Sequence, residues 1–80
     1  MKKYWYSLVV SVLDEYGNRI EAIEVTASND KKEIEKEKEG LIAAVWDGEY
    51  SEYADYESGE SLLVDVEVHD DKTNELLWIE

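Results

Sequence analysis

The chain is 80 residues long and holds 21 acids against eight bases, for a net charge of -13, with no cysteine and no proline. Its length sets one domain, residues 1–80, with a single core, and the absence of cysteine excludes disulfides, thiolate metal sites and thiol nucleophiles. Residues 39–71 contain eleven acids and neither Lys nor Arg, a one-sided field that repels nucleic acid and anionic membrane and attracts basic surfaces.

Met1-Lys2-Lys3 is basic, but the segment after it has serines at 7 and 11 and no small-residue cleavage site. It reads as a strand and not a signal peptide. The longest apolar run, Leu41 to Trp46, is six residues, far short of a membrane span. A small domain without disulfides fits an intracellular, cytoplasmic setting.

Tyr4 to Leu13 is rich in aromatic and β-branched residues and predicts a first strand. Alternation puts Tyr4, Tyr6, Leu8, Val10 and Val12 on a fully apolar face and Trp5, Ser7, Val9, Ser11 and Leu13 on a mixed one. Gly17-Asn18 suits a turn, and Ile20 to Ala27 returns as the second strand of a hairpin. Asp30 and Glu33 have the spacing of a capping box, so a helix begins near Lys31. At 100° per residue, Ile34, Leu41, Ile42, Val45, Trp46, Tyr53 and Tyr56 share one arc, which predicts a helix from about residue 31 to about residue 55. Gly40 and Asp47-Gly48 are its weak points. In a rival reading Gly40 ends the helix and Asp47-Gly48 turns a hairpin. Leu62 to His69 alternates cleanly as a third strand, Asp70 to Asn74 turns, and Leu76 to Ile79 returns as a fourth.

The expected fold is therefore a small α+β domain, ββαββ, with a four-stranded, mostly antiparallel sheet and one helix packed across it. The element order resembles the β-grasp arrangement of immunoglobulin-binding bacterial domains and ubiquitin-like domains. The resemblance rests on order alone and carries no functional residue across.

Within the base-free region an acid-Tyr-x triplet occurs three times, at Glu49-Tyr50, Glu52-Tyr53 and Asp55-Tyr56. On a helix each triplet advances about 4.5 Å, so the acids form one stripe and the tyrosines another. This arrangement predicts a partner-binding surface of Asp47, Glu49, Tyr50, Glu52, Asp55, Tyr56, Glu57 and Glu60, with Asp65, Glu67, Asp70 and Asp71 as a second row. A plain solvated face is the competing reading, although such faces normally interleave Lys with Glu. Tyr53 falls on the core side of the wheel.

His69 beside Asp70 and Asp71 is a lone histidine without ligand spacing, and the loop at Asp71, Thr73 and Glu75 lacks the glycine and closing acid of a calcium loop. No metal, cofactor or catalytic constellation is predicted. One helix covers one face of the sheet, which leaves Trp5, Val9, Leu13, Leu63, Leu77 and Ile79 as a candidate apolar interface on the other.

The expected function is that of a non-enzymatic inhibitor that mimics nucleic-acid charge and occupies the basic groove of a nucleic-acid-binding protein. In size, acidity and lack of catalytic motifs the chain resembles the phage and plasmid proteins that block CRISPR effectors or restriction enzymes. The alternative is a small structural or adaptor module, with a homodimer as one form, that binds through the apolar face of its sheet. A designed or orphan domain is a third reading.

Overall fold

The computed structural model describes residues 3–80, so the basic start read at Met1 and Lys2 lies outside the described residues. The elements follow in the order β1 (Tyr4–Leu13), β2 (Arg19–Ser28), α1 (Lys31–Trp46), β3 (Ser61–Asp70) and β4 (Leu76–Ile79). The sheet order is β2-β1-β3-β4, and every neighbouring pair is antiparallel. It is the expected small α+β ββαββ domain. The likeness to β-grasp domains stops at element order: β1 is flanked by β2 and β3, both antiparallel to it, and the last strand is an edge.

The helix lies on the even-numbered face of β1. Leu8 and Val10 are fully buried there with Ile34 and Leu41 from the helix and Val66 from β3, and Tyr6, Ile23, Val45, Tyr50, Leu62 and Val64 pack around them. At its start, Asp30 accepts the backbone N–H of Lys32 at 3.0 Å. The other half of the box is relayed. Asp30 N–H donates to Ser28 Oγ, and that hydroxyl donates to Glu33.

The helix ends at Trp46, nine residues short of the expected 55. Gly48 takes a left-handed φ of 86°, its N–H bonds the Val45 carbonyl, and the Glu49 N–H reaches back to Ala44. This is a Schellman termination, which glycine makes without steric cost. Gly40 stays inside the helix. The rival hairpin does not form either: residues 49–60 are irregular, with two single 3₁₀ turns at Ser51–Tyr53 and Tyr56–Ser58.

The uncovered face corrects a second expectation. Ser7, Val9 and Ser11 are buried there although no helix lies over them, Val9 to 1% exposure. Arg19 forms an ion pair with Glu67. Their ladder partners on β1 are Leu13 and Ser7, six residues or about 20 Å apart along the strand. The two side chains meet because the twisted sheet coils toward this face, and their pair spans the part of β1 that holds Val9. Ser7 donates to Glu24 and Ser11 to Asp65, each at 2.6 Å. No buried side-chain polar atom among the described residues lacks a partner. The central strip of this face is therefore closed by the chain's own polar groups, and the apolar interface expected at Val9 is not there. Of the candidates on this face, Leu63 near the sheet's acidic end and Ile79 on its edge strand stay half exposed.

Candidate binding surface

The ladder places Leu13, Arg19 and Ser61 side by side at one end of the sheet. The β1–β2 turn and the whole connection from α1 to β3 lie beyond that end. Between them they bring together Asp14, Glu15, Asp47, Glu49, Glu52, Asp55, Glu57 and Glu60. The base nearest in the ladder, Arg19, is taken up by Glu67. At the other end, Lys3, Lys31, Lys32 and Lys72 offset Asp30, Asp70, Asp71 and Glu75. The molecule is 46 Å in its longest dimension, several times the screening length of about 8 Å at physiological salt. Its two ends therefore act as separate electrostatic surfaces.

A close approach joins the two acidic loops. Gly59 has a φ of 87°, and a Cβ there would sit 2.8 Å from the Cβ of Glu15. Only glycine fits both the backbone conformation and the gap. Asp55 organises the second 3₁₀ turn. Its carboxylate accepts the Ser58 hydroxyl at 2.7 Å and the backbone N–H groups of Glu57 and Ser58. These bonds, the Ser58 hydroxyl first, hold its pKa below the ordinary 3.8. Glu60 accepts the Asp55 N–H at 3.1 Å. In the β1–β2 turn Asp14 accepts the N–H groups of Tyr16 and Asn18. Its pKa is also lowered, chiefly by the Asn18 backbone bond.

The predicted surface residues thus separate into three groups. Asp47, Glu49, Glu52 and Glu57 are exposed at the acidic end, and Asp55 and Glu60 stand with them but shape the loop. Because residues 49–56 are not helical, the two straight stripes do not form. Asp65 and Glu67 do not face outward as a second row: they bond Ser11 and Arg19 across the coiled face. Asp70 and Asp71 lie at the far end of β3, about 30 Å from Ser61. Asp70 accepts the N–H groups of Lys72 and Thr73 and so forms the β3–β4 turn. The tyrosine roles are exchanged. Tyr50 packs against the core, whereas Tyr53 is 41% exposed. Tyr56, which the wheel puts on the core arc and the triplet pattern puts in the binding surface, is 54% exposed.

Trp46 departs furthest from expectation: the helical wheel sets it on the core arc, and it is 85% exposed. Its neighbours Ile42, Val45, Tyr56, Leu62, Leu63 and Val64, with Ser61, line an open groove of about 470 Å³ between the end of α1 and the start of β3. Tyr16, 81% exposed, adds a further aromatic to the same end. Tryptophan and tyrosine are over-represented among residues that dominate binding energies.

His69 stacks on Trp5, with centroids 3.9 Å apart and planes within 7°. Its ring nitrogens face Glu67 at 3.3 Å and the Asn74 carbonyl at 3.4 Å. Among the described residues, no group of three or more His, Cys, Asp or Glu side chains is placed to hold a metal ion, and no helix is long and apolar enough to cross a membrane. No protein-family model matches the chain, and no curated protein and no solved structure resembles it at a significant level.

Proposed function

We propose that this protein is a non-enzymatic acidic inhibitor, one that docks its acidic end onto the basic groove of a nucleic-acid-binding protein. The observation that carries this reading is the gathering of eight carboxylates from two loops at one end of the molecule, with the nearby base neutralised internally. Such a field steers a basic partner and sets its orientation. The contact surface is narrower than the sequence pattern implied. It comprises Glu15, Asp47, Glu49, Glu52 and Glu57 with the aromatics between them, and it excludes Asp65, Glu67, Asp70 and Asp71.

The test is capture from a lysate of the source organism with the parent and with a Glu49→Lys/Glu52→Lys/Glu57→Lys variant. Asp55 is left in place because it folds the loop. The parent should retain a nucleic-acid-binding protein that elutes between about 50 and 500 mM salt, where exposed charge pairs are screened, and that added duplex DNA displaces. A partner that the variant holds equally well, or that resists both salt and DNA, would contradict the proposal.

A further inference from the structure

We propose that the groove beside Trp46 receives an extended segment of the basic partner, which adds to the sheet as a short strand on the open edge of β3. The inference rests on the acidic end being the partner-binding surface and specifies how the partner is held there. β4 is only four residues long. It covers β3 from Val66 onward, where Val66 exchanges both backbone bonds with Glu80, and Asp70 N–H bonds the Glu75 carbonyl. The even-numbered residues of β3 thus turn their backbone groups away from β1, and the β1–β3 ladder runs without a register shift. By the same parity the N–H and C=O groups of Leu62 and Val64 point along an edge that no described strand occupies. An unpaired edge of this kind is a template for another strand.

The groove lies on that stretch of edge. Ile42, Val45 and Trp46 line it from the helix, Tyr56 from the connecting loop, and Leu62, Leu63 and Val64 from β3. A strand lying there would send alternate side chains under Trp46 and away from it. Apolar residues suit the first set. The carboxylates of Asp47 and Glu57, exposed nearby, suit Lys or Arg in the second, and the face of Trp46 is itself a platform for a cation. The occupant is thus an extended segment of alternating apolar and basic residues. Acidic and neutral apolar strands lack that charge complement.

The test uses three synthetic peptides: one alternating Val and Lys, the same peptide N-methylated at alternate residues on its pairing edge, and oligolysine of equal length. Calorimetry measures affinity, and NMR amide exchange reads Leu62 and Val64. The alternating peptide should slow exchange at both amides by about tenfold or more. N-methylation should weaken it by roughly 10- to 100-fold, the loss expected for two or more backbone bonds. Trp46→Ala should lower affinity for the alternating peptide about tenfold or more and weaken oligolysine by a smaller factor, through the lost cation platform alone. If the alternating peptide binds but the two amides exchange as before, or N-methylation has no effect, strand addition is wrong while the acidic reading stands. If no basic peptide binds at low salt, both fail. If the protein alone forms a dimer that protects Leu62 and Val64, the occupant is a second copy and the proposal is overturned.

Discussion

The two ends of this molecule are built from the same residue types and use them in opposite ways. At the balanced end, aromatics and charges are paired with one another. Tyr4 packs edge-on against Trp78, Trp5 stacks on His69 and donates to Asn74 at 3.1 Å, and Lys31 bonds Glu80 at 3.1 Å. At the acidic end Tyr16, Trp46 and Tyr56 stand exposed among carboxylates that have no base beside them. What order exists there comes from caps and glycines: Gly48 ends the helix, Asp14 and Asp55 fix their turns, and Gly59 lets the two loops touch. Paired side chains at one end stabilise the fold. At the other end carboxylate caps and glycine turns hold a surface open, which is the arrangement expected of a binding site on a small scaffold.

The largest expected effect separates the two tryptophans. Trp5→Ala removes a stacked, hydrogen-bonded ring and should cost about 2–3 kcal/mol, somewhat less than a fully buried aromatic. Trp46→Ala should change stability by no more than about 0.5 kcal/mol, as at ordinary surface sites. Denaturant titration of both variants checks this, and equal losses would erase the distinction between the ends.

Gly59→Ala comes next. The new Cβ meets the Glu15 Cβ at a backbone conformation that only glycine adopts freely, so a loss of about 1–3 kcal/mol is expected. NMR shift changes should concentrate in both acidic loops. Changes confined to residues 56–60 would mean that the two loops are not joined there.

Arg19→Ala should cost about 1–2 kcal/mol, because Glu67 loses its charged partner and the coiled face opens over Val9. Faster amide exchange along β1 would accompany it. An unchanged exchange pattern would show that the ion pair does not close that face.

The smallest effects concern pH, and a loss on the basic side belongs to the balanced end alone. Asp14 and Asp55, at the acidic end, have pKa values lowered from 3.8, and Glu80 has one lowered from 4.5 by the Trp78 indole N–H and by Lys31. Each carboxylate contributes stability that is fully present above its unfolded value and is lost as the pH falls through its lower folded value. Lys31 is raised from 10.5, chiefly by its bond to Glu80. Its contribution is fully present below 10.5 and is lost as the pH rises through the higher folded value. The stability difference between the parent and Asp55→Ala should therefore shrink only in acid below 3.8. That between the parent and Lys31→Met should shrink above 10.5, where Lys31 loses its proton, and in acid below 4.5, where Glu80 gains one. A difference independent of pH in either variant would remove the assigned cause.

The strands were legible in the sequence because alternation and β-branching are local properties. Ladder geometry adjusted their limits only slightly, to Arg19–Ser28 and Ser61–Asp70. The helix end was not legible to the same degree. A 100° wheel continues through Gly48 as though nothing happened, and Tyr53 inherits a core position from that continuation. Trp46 still belongs to the helix, but the stripe that packs on the sheet is Ile34, Leu41 and Val45, and Trp46 falls with the exposed Ile42 to one side of it. The signal for the helix end was present in Asp47-Gly48 itself, a C-cap and left-handed pair. The roles of Asp65 and Glu67 could not be read locally. Alternation correctly pointed them away from the helix, but what they meet depends on how far the whole sheet coils, which brings Arg19 within reach of Glu67. The joining of the two acidic loops through Gly59 and Glu15, 44 positions apart in the chain, is a tertiary contact with no local signature.

The central claim is that charge segregation makes the acidic end the docking surface. Oligolysine titrated into isotopically labelled protein at low salt tests it directly, with backbone amide shifts followed by NMR. The account predicts perturbations confined to residues 14–16 and 46–60 and abolished by about 0.5 M salt. Perturbations spread evenly over the molecule, or centred on Asp70 and Asp71 at the opposite end, would contradict it.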